Sequence, residues 1–204
     1  MAAPMTKVAV IGAGLAGLVV ARRLQSLAEV TVFEKSRGAG GRMATRYAGD
    51  FEFDHGAQFF TARTDCFRSF LQPLIDDGAV TGWHARFAEY DRSSMQSLRS
   101  WDDDFPHFVG APRMNSIGKY LSADLNIVFE TEIATIMKNS DAWILSDGGG
   151  NRMGRFDWVV LTPPAAQSAA LAEAFPELIA YCRERNMLSC FALMLGFEEP
   201  LDLQ

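Results

Sequence analysis

The N-terminal stretch Lys7–Glu34, KVAVIGAGLAGLVVARRLQSLAEVTVFE, decides the fold expected of this chain. It opens with the short β-branched run Lys7–Ile11, which is typical of a buried parallel strand. An amphipathic helix is predicted over Leu15–Leu27, because its leucines and Val19 lie toward one side and its arginines elsewhere. A second apolar strand is predicted over Val30–Glu34. Strand, helix and strand in this order form a βαβ unit, which closes with a right-handed crossover.

A G-x-G-x-x-G motif occupies the turn between the first strand and the helix. Gly12 permits a tight turn, Gly14 lets a pyrophosphate approach the backbone, and Gly17 lets the helix pack closely on the strand. The free N–H groups at the start of the helix, at Leu15 and Ala16, then point at the pyrophosphate. Glycines also mark plain turns, but the strand before this motif and the helix after it favour a dinucleotide site.

Glu34 lies at the end of the second strand, seventeen positions after Gly17. A carboxylate at this point can accept both hydroxyls of an adenosine ribose and would repel a 2′-phosphate. As a strand-end side chain it is expected to lie outside the core. The alternative is an ordinary ion pair with Lys35 or Arg37.

The segment KSRGAGGRMATR favours FAD over NAD as the expected cofactor. Gly40 and Gly41 let the backbone approach a phosphate, and the Arg42 guanidinium can neutralise it. A simple dehydrogenase has no use for this Gly-Gly-Arg run. The alternative is a basic surface loop.

Further along the chain the pattern alternates between strands, helices and turns. Helices are predicted over 65–75, from Asn115 or Ser116 to Leu121, and over 165–175. Strands are predicted over 83–90, 127–137, 142–146, 156–161 and 190–197, with a turn over 147–151 and irregular chain over 93–112.

The stretches quoted so far, together with FDHGAQFFTAR (Phe53–Arg63), resemble the renalase-like branch of the flavin amine oxidase superfamily. VGAPRMNSIGKYL (Val109–Leu121) and VVLTPPAAQ (Val159–Gln167) are also similar to that branch, so the likeness covers essentially the whole chain. One departure is the absence of a glycine in Ser26–Glu29, after the first helix.

The resemblance implies an α/β fold in which a Rossmann-like FAD-binding domain is interrupted by an α+β substrate domain, with FAD lying between the two. Residues 1–62 and 113–172 would form the FAD-binding domain, and residues 63–112 and 173–204 an incomplete substrate domain. Proteins of this branch run longer and finish with a Gly-Asp motif that closes over the flavin. The chain is therefore expected to be a fragment or a shortened homologue.

The resemblance also implies contacts with FAD and with the substrate. Outside the glycine turn, the expected cofactor residues hold the adenosine, the pyrophosphate or the flavin: Glu34, Lys35, Gly41, Arg42, Gln58, Phe59 and Ile133. Gln58 and Phe59 would lie near the flavin, whereas Ile133 would touch the adenine through its backbone. Thr61 and Arg63 would lie close to the substrate; the alternative for these two is a loop-closing hydroxyl and a surface charge.

Composition excludes several other classes of function. The chain has 204 residues and a net charge of −6, so nucleic acid and anionic membranes are not expected partners. Its sparse cysteines form no disulfide framework, and its histidines lack ligand spacing, so no metal site is expected. Glycines interrupt the apolar run at the N-terminus, which is therefore not interpreted as a signal peptide. A cytoplasmic protein with a small-molecule substrate is expected, with its oligomeric state left open.

The expected function is that of an FAD-dependent oxidoreductase, in which flavin N5 accepts a hydride from a carbon next to nitrogen and oxygen accepts the electrons. The resemblance suggests reduced nicotinamide dinucleotide isomers as substrates. Aromatisation drives their oxidation, so no general base is required, and no catalytic residue is nominated. The alternatives are oxidation of a simple amine, an FAD- or ADP-binding module without turnover, and an NAD-dependent dehydrogenase, which the Gly-Gly-Arg run disfavours.

Overall fold

The computed structural model describes residues 5–100 and 106–199. Its helices, in chain order, are α1 (Leu15–Leu24), α2 (Asp65–Asp76), α3 (Asn115–Ser122), α4 (Ala165–Leu171) and α5 (Pro176–Arg183). Its strands are β1 (Lys7–Ile11), β2 (Glu29–Phe33), β3 (Arg46–Ala48), β4 (Phe51–Phe53), β5 (Phe60–Thr61), β6 (Val80–Gly82), β7 (Arg86–Asp91), β8 (Ser94–Ser100), β9 (His107–Gly110), β10 (Ile127–Val128), β11 (Ile133–Lys138), β12 (Trp143–Asp147), β13 (Arg152–Phe156) and β14 (Trp158–Leu161).

The chain divides into two compact units. The first consists of the residues up to Arg42 and of Leu121–Ala192; the second consists of Met43–Tyr120 and the residues from Leu193 onward. These boundaries differ from those expected for the two functional domains, which fall at 62/63, 112/113 and 172/173. The assignment of FAD binding to one domain and substrate binding to another remains a prediction.

A parallel sheet forms the centre of the first unit. Its strand order is β10-β2-β1-β14, and every pairing is parallel. The predicted β1–α1–β2 unit is therefore confirmed. Helix α1 ends at Leu24 rather than Leu27, because the chain turns there so that the buried Ala28 can lead into β2. Leu27 is 74% exposed and does not join the apolar side of the helix.

An antiparallel sheet of order β11-β12-β13 packs on one face of the parallel sheet. Alternate residues of β1, Ala9 and Ile11, face this second sheet and share a buried cluster with Leu145 of β12. The rings of Phe33 and Phe156 meet edge to face, with centroids 5.9 Å apart. Helix α1 contacts β1 and β2 through its fully buried residues Leu18 and Ala21.

The second unit contains a three-stranded antiparallel sheet of order β5-β9-β6 with α2 packed on it. Two hairpins accompany this sheet, β3–β4 and β7–β8. Helix α2 begins at a cap formed by Thr64, whose Oγ1 accepts from the Phe67 N–H at 3.3 Å. Its buried residues Leu71 and Leu74 are each 2% exposed.

Two predicted strands are each divided in the structure. The strand predicted over 127–137 becomes β10 and β11, because the Glu130 and Thr131 N–H groups donate to Ser36 O and Glu34 O instead of continuing a ladder. The strand predicted over 156–161 separates at Asp157, whose Oδ2 accepts from the Lys7 N–H at 2.7 Å. Phe156 consequently belongs to β13, which was not predicted.

Other differences follow from turns that the apolar pattern did not reveal. The strand predicted over 83–90 is interrupted before Arg86, and the region predicted as irregular contains β8 and β9; residues 101–105 of that region lie outside the described part of the chain. The helix predicted over 165–175 ends at Leu171, and α5 follows. Residues 190–197 form no strand, because no described strand pairs with them, although their alternation suits one.

Candidate dinucleotide-binding site

The turn between β1 and α1, which we call the glycine turn (Gly12–Gly17), has a geometry that requires two of its glycines. Gly12 has φ +98° and donates its N–H to Phe33 O at 2.8 Å. A Cβ on Gly17 would lie 2.0 Å from Gly12 O, so any side chain there would force the helix away from the strand. Both glycines thus perform the roles predicted from the sequence.

Thr162 supports this turn, and the sequence reasoning missed it. Its hydroxyl lies 2.7 Å from Ile11 O and 3.1 Å from Gly12 O, immediately beside the place where a Gly17 Cβ would lie. The register pairs Ile11 with Leu161, so Thr162 follows β14 at the position where Gly12 follows β1. A hydroxyl residue directly after an apolar strand and before Pro163 was the only available signal.

Gly14 differs from its two neighbours in the motif, because a Cβ there would meet no atom within 4 Å. Gly14 is the N-cap residue of α1, and no side chain caps the helix. The first N–H groups of a helix have no intrahelical acceptor, and here those of Leu15, Ala16 and Gly17 follow an open backbone surface. The arrangement fits a pyrophosphate, which needs both the open space and the donors.

The Gly-Gly-Arg segment lies directly against the glycine turn. The Gly40 N–H donates to Ala13 O at 2.8 Å, and Gly14 and Gly40 form an isolated parallel bridge. Gly41 has φ +56°, and a Cβ on it would lie 3.2 Å from Gly14 Cα. Two motifs that are separate in sequence therefore form one continuous backbone surface.

Arg42 extends from this surface toward solvent. It lies in a short 3-10 turn, Gly41–Met43, and is exposed. Within residues 5–100 and 106–199, no hydrogen bond or ion pair engages its guanidinium. The cation is thus available to an anion bound beside Gly40 and Gly41.

Glu34 is buried, contrary to the expectation that a strand-end side chain would lie outside the core. It is 7% exposed, and its Oε2 accepts from the Ala13 N–H at 2.7 Å while its Oε1 accepts from the Ser36 N–H at 2.8 Å. Strand β10 covers this position, because the Glu34 N–H donates to Val128 O. The alternative ion pair with Lys35 or Arg37 is not formed in the described part of the chain.

The two hydrogen bonds of Glu34 leave further acceptor positions on its carboxylate. An ionised carboxylate has about four acceptor positions, and the two backbone donors use one on each oxygen. Each oxygen therefore keeps one acceptor position. A ribose presents two neighbouring hydroxyl donors, which match these two positions in number and chemistry.

Lys35 points away from Glu34. Its Nζ lies 3.8 Å from Glu132 Oε1 and 3.4 Å from Gln167 Oε1, on an exposed part of the surface. A contact between Lys35 and a cofactor remains a prediction.

Ile133 begins β11, and its side chain is 4% exposed within the core between the two sheets. The β11–β12 register shifts between Ile133 and Thr135, which marks a bulge at this end of the strand. A bulge releases backbone groups from the ladder, so the predicted backbone contact with adenine is chemically available. That contact remains a prediction.

The predicted flavin and substrate residues lie in the second unit. Gln58 is exposed, and the Phe59 ring lies 5.8 Å from the Trp83 ring and 5.3 Å from the His107 ring, measured between centroids. Thr61 pairs with His107 across β5 and β9. Arg63 is exposed and directly precedes the cap of α2.

A polar network joins the β3–β4 hairpin to the start of α3. Arg113 forms a two-pronged ion pair with Glu52, and this hydrogen-bonded carboxylate raises the pKa of the guanidinium. The Asp54 carboxylate accepts from the Thr45 hydroxyl at 2.6 Å and from the Met114 N–H at 2.9 Å. Both acids have structural partners, which explains them without a catalytic role.

No three His, Cys, Asp or Glu side chains in the described residues come together as a metal site would require. Among the helices described, none combines the length and the apolar character that crossing a bilayer demands.

Comparisons with known proteins agree with this geometry. The profile of a family described as an NAD(P)-binding Rossmann-like domain matches residues 10–74. The chain is 51% identical over 51 residues to 4,4'-diapophytoene desaturase (4,4'-diaponeurosporene-forming) of Staphylococcus aureus strains Newman and USA300, a match covering 24% of this chain and 10% of each desaturase. Its fold is similar to that of a provisionally assigned protoporphyrinogen oxidase from Exiguobacterium sp. 255-15, with a TM-score of 0.66 and 14% identity over 87% of this chain and 64% of that one.

The matched regions thus span only a tenth of the desaturase and less than two thirds of the oxidase. The family profile nevertheless runs from Val10, near the end of β1, through α1, β2 and the Gly-Gly-Arg segment, which form most of the candidate site. Residues 10–74 therefore resemble a Rossmann-like NAD(P)-binding domain, and the chain has a mixed α/β fold.

Proposed function

We propose that this protein is an FAD-dependent oxidoreductase. The observation that carries the proposal is the contact between Gly14 of the glycine turn and the Gly40–Gly41 backbone, with the Glu34 carboxylate held at the same turn. An NAD-binding turn needs the first motif and the acid alone. The added Gly-Gly-Arg surface supplies a second approach to the pyrophosphate. The resemblance to flavin amine oxidases implies that this surface binds the pyrophosphate of FAD.

The residues of the first unit have separate tasks in this proposal. The N–H groups at the start of α1 bind the pyrophosphate, and Arg42 neutralises its charge. Glu34 accepts the ribose hydroxyls, and the Ile133 backbone contacts the adenine. When bound, FAD would supply a hydride acceptor at N5 for a substrate carbon next to nitrogen, and would pass the electrons to oxygen.

The proposed substrates are reduced nicotinamide dinucleotide isomers. The support comes from the resemblance to the renalase-like branch and from the chemistry of the ring, which becomes aromatic on losing a hydride. Such a reaction needs orientation and exclusion of water rather than a general base. Gln58 and Phe59 would contact the flavin, and Thr61 and Arg63 the substrate, in a protein that we expect to work in the cytoplasm on small molecules.

The cofactor is tested by mixing the purified chain with FAD or NAD and measuring affinity by calorimetry and by flavin absorbance. We expect FAD to bind and to be released by competing ADP, since both share the adenosine and pyrophosphate groups. Binding of NAD with no affinity for FAD would overturn the proposed cofactor.

The substrate is tested by anaerobic reduction of the FAD-loaded protein, followed through the loss of flavin absorbance. We expect reduced nicotinamide isomers to bleach the flavin faster than a simple primary amine does. A faster reaction with the amine would replace the proposed substrate by an amine, and would leave the cofactor assignment standing.

A further inference from the structure

The carboxyl end of β14 contacts the glycine turn through one residue, Thr162. The Thr162 N–H donates to Ile11 O at 3.1 Å, which completes the pairing of Ile11 with Leu161. The Thr162 Oγ1 lies 2.7 Å from the same carbonyl oxygen and 3.1 Å from Gly12 O. The backbone and the side chain of Thr162 thus hold the last carbonyl of β1 and the first carbonyl of the turn.

The Thr162 hydroxyl also fills the space that two glycines leave. A Cβ on Gly12 would lie 3.0 Å from Thr162 Oγ1, and a Cβ on Gly17 would lie 2.8 Å from it. The oxygen therefore lies between the start of the glycine turn and the first turn of α1. The missing side chain of Gly17 makes room for two neighbours, Gly12 O and this hydroxyl.

The two short distances depend on the hydroxyl hydrogen. A hydroxyl has one hydrogen, so it donates to one carbonyl at a time, and the shorter distance favours Ile11 O. A methyl group in the same place would lie closer to both carbonyl oxygens than the roughly 3.3–3.6 Å at which carbon and oxygen usually meet. Replacing the hydroxyl by a methyl group should therefore displace the turn.

The position of the turn matters because it carries the groups that can bind an anion. The first N–H groups of α1 have no intrahelical acceptor, and they follow directly on the turn. The Gly12 N–H donates to Phe33 O at 2.8 Å, so the turn is held to β2 on one side of β1 and to β14 on the other. Donors that are fixed before a ligand arrives lose less freedom when it binds.

We propose that Thr162 is a positioning residue of the dinucleotide site, whose hydroxyl holds the glycine turn so that the first N–H groups of α1 meet the pyrophosphate. The inference rests on the proposed function, which supplies the pyrophosphate. Thr162 acts on this ligand only through Gly12 and Gly17, the two residues that its hydroxyl separates.

The test measures ADP affinity of the 204-residue chain by calorimetry, well below the unfolding temperature of each variant. ADP carries the adenosine and the pyrophosphate without the flavin. Thr162→Val should weaken ADP binding roughly tenfold, because it removes the hydrogen bond and pushes the carbonyl oxygens apart. Thr162→Ala removes the bond without the added contact and should weaken binding by a smaller factor. Thr162→Ser keeps the hydroxyl and should bind ADP nearly as tightly as the parent.

Ser168→Ala is the matched control within the same unit. The Ser168 hydroxyl also donates to a backbone carbonyl that follows β14, Pro163 O at 2.9 Å, and Ser168 is 7% exposed. This bond belongs to α4 rather than to the glycine turn. Ser168→Ala should therefore lower Tm about as much as Thr162→Ala does, while its ADP affinity stays that of the parent.

Two results would overturn the proposal. One is an ADP affinity that falls in Ser168→Ala as much as in Thr162→Ala, because Thr162 would then act through stability alone. The other is a Thr162→Ser variant that binds ADP as weakly as Thr162→Ala does, because the hydroxyl would then contribute nothing. Both comparisons remain decisive if Thr162→Val does not fold.

The outcomes also distinguish this inference from the proposed function. If the parent, Thr162→Ala and Thr162→Val bind ADP equally well, the inference fails and the proposed function stands. If ADP binds in a way that depends on Thr162 but FAD does not bind, the inference stands and the cofactor assignment fails. If the parent binds neither ligand, both fail.

Discussion

The glycine turn of the first unit is built from backbone. In contrast, one face of the β5-β9-β6 sheet in the second unit is a cluster of side chains, formed by Phe59, Thr61, Thr81, Trp83, His107 and Val109. At the glycine turn, Gly14 leaves open space beside the first N–H groups of α1, and Glu34 is held there by two backbone donors. On that face of the sheet, rings meet because strand register places Phe59, Trp83 and His107 on one side. A turn built from backbone can be recognised in the sequence, because its glycines recur at a fixed spacing. A cluster of side chains on a sheet depends on pairing between strands that are distant in sequence.

The largest expected effect on the free energy of unfolding comes from comparing Gly17 with Gly14 in the glycine turn. Gly17→Ala places a Cβ 2.0 Å from Gly12 O, and relieving this contact should lower the free energy of unfolding by about 3 kcal/mol. Gly14→Ala meets no atom within 4 Å and should cost less, about 0.5–1 kcal/mol, as an N-cap change. Chemical denaturation measures both.

Gly14 is also expected to matter for FAD binding rather than for folding. Gly14→Ala should stay folded and lose roughly tenfold or more in FAD affinity, because its methyl group occupies the approach of the pyrophosphate. A Gly14→Ala variant with the parent's FAD affinity would remove the pyrophosphate from this turn.

The two faces of the β5-β9-β6 sheet can be compared through adjacent phenylalanines. Phe60→Ala removes the ring that contacts Phe67 and Phe108, and should destabilise the protein by about 2 kcal/mol. Phe59→Ala removes a half-exposed ring from the other face and should cost less than about 1 kcal/mol. Thermal unfolding gives the order, and a larger loss for Phe59→Ala would show that the faces are assigned the wrong way round.

Glu34→Gln tests whether the Glu34 carboxylate contributes both to the stability of the glycine turn and to FAD affinity. The amide NH₂ would face a backbone N–H in place of an acceptor, so stability should fall by about 1–2 kcal/mol. FAD affinity should fall roughly tenfold, because a ribose hydroxyl also loses its acceptor. Glu132→Gln is the matched control, since Lys35 is the one ion-pair partner of Glu132 in the described residues and lies on the surface, so both quantities should stay unchanged. Equal effects of the two substitutions on FAD affinity would exclude Glu34 from the ribose site.

The smallest expected effect concerns the turn between β12 and β13. Hydrogen bonds from the Asn151 side chain and backbone hold the pKa of Asp147 below its ordinary value. Their stabilisation is therefore present above the ordinary aspartate pKa and is lost as pH falls through the lowered one. Asn151→Ala should raise the Asp147 pKa, measured by carboxyl NMR, whereas Asn139→Ala should not. An unchanged pKa in Asn151→Ala would assign the shift to the backbone donors alone.

Local patterns predicted some elements and failed at others for identifiable reasons. The run Lys7–Ile11, the turn over 147–151 and helix α3 were predictable because each depends on neighbours in sequence, although α3 already includes Asn115, one of the two residues predicted as its cap. The division of the strand predicted over 127–137 was not, because it depends on donors at Glu130 and Thr131 reaching Ser36 and Glu34. The run over 190–197 shows the converse, since an alternating pattern forms no strand without a partner.

By itself, the sequence determined the glycine turn, the acid at the end of β2 and the Gly-Gly-Arg segment, because glycine spacing encodes backbone geometry directly. Only the tertiary structure decided that Gly40 and Gly41 lie against Gly14, that Glu34 is buried with two backbone donors, and that Thr162 supports the turn. It also decided that Trp83 joins Phe59 on one face. These contacts join residues far apart in the chain, so they exist only once parallel and antiparallel registers are fixed by burial of the core.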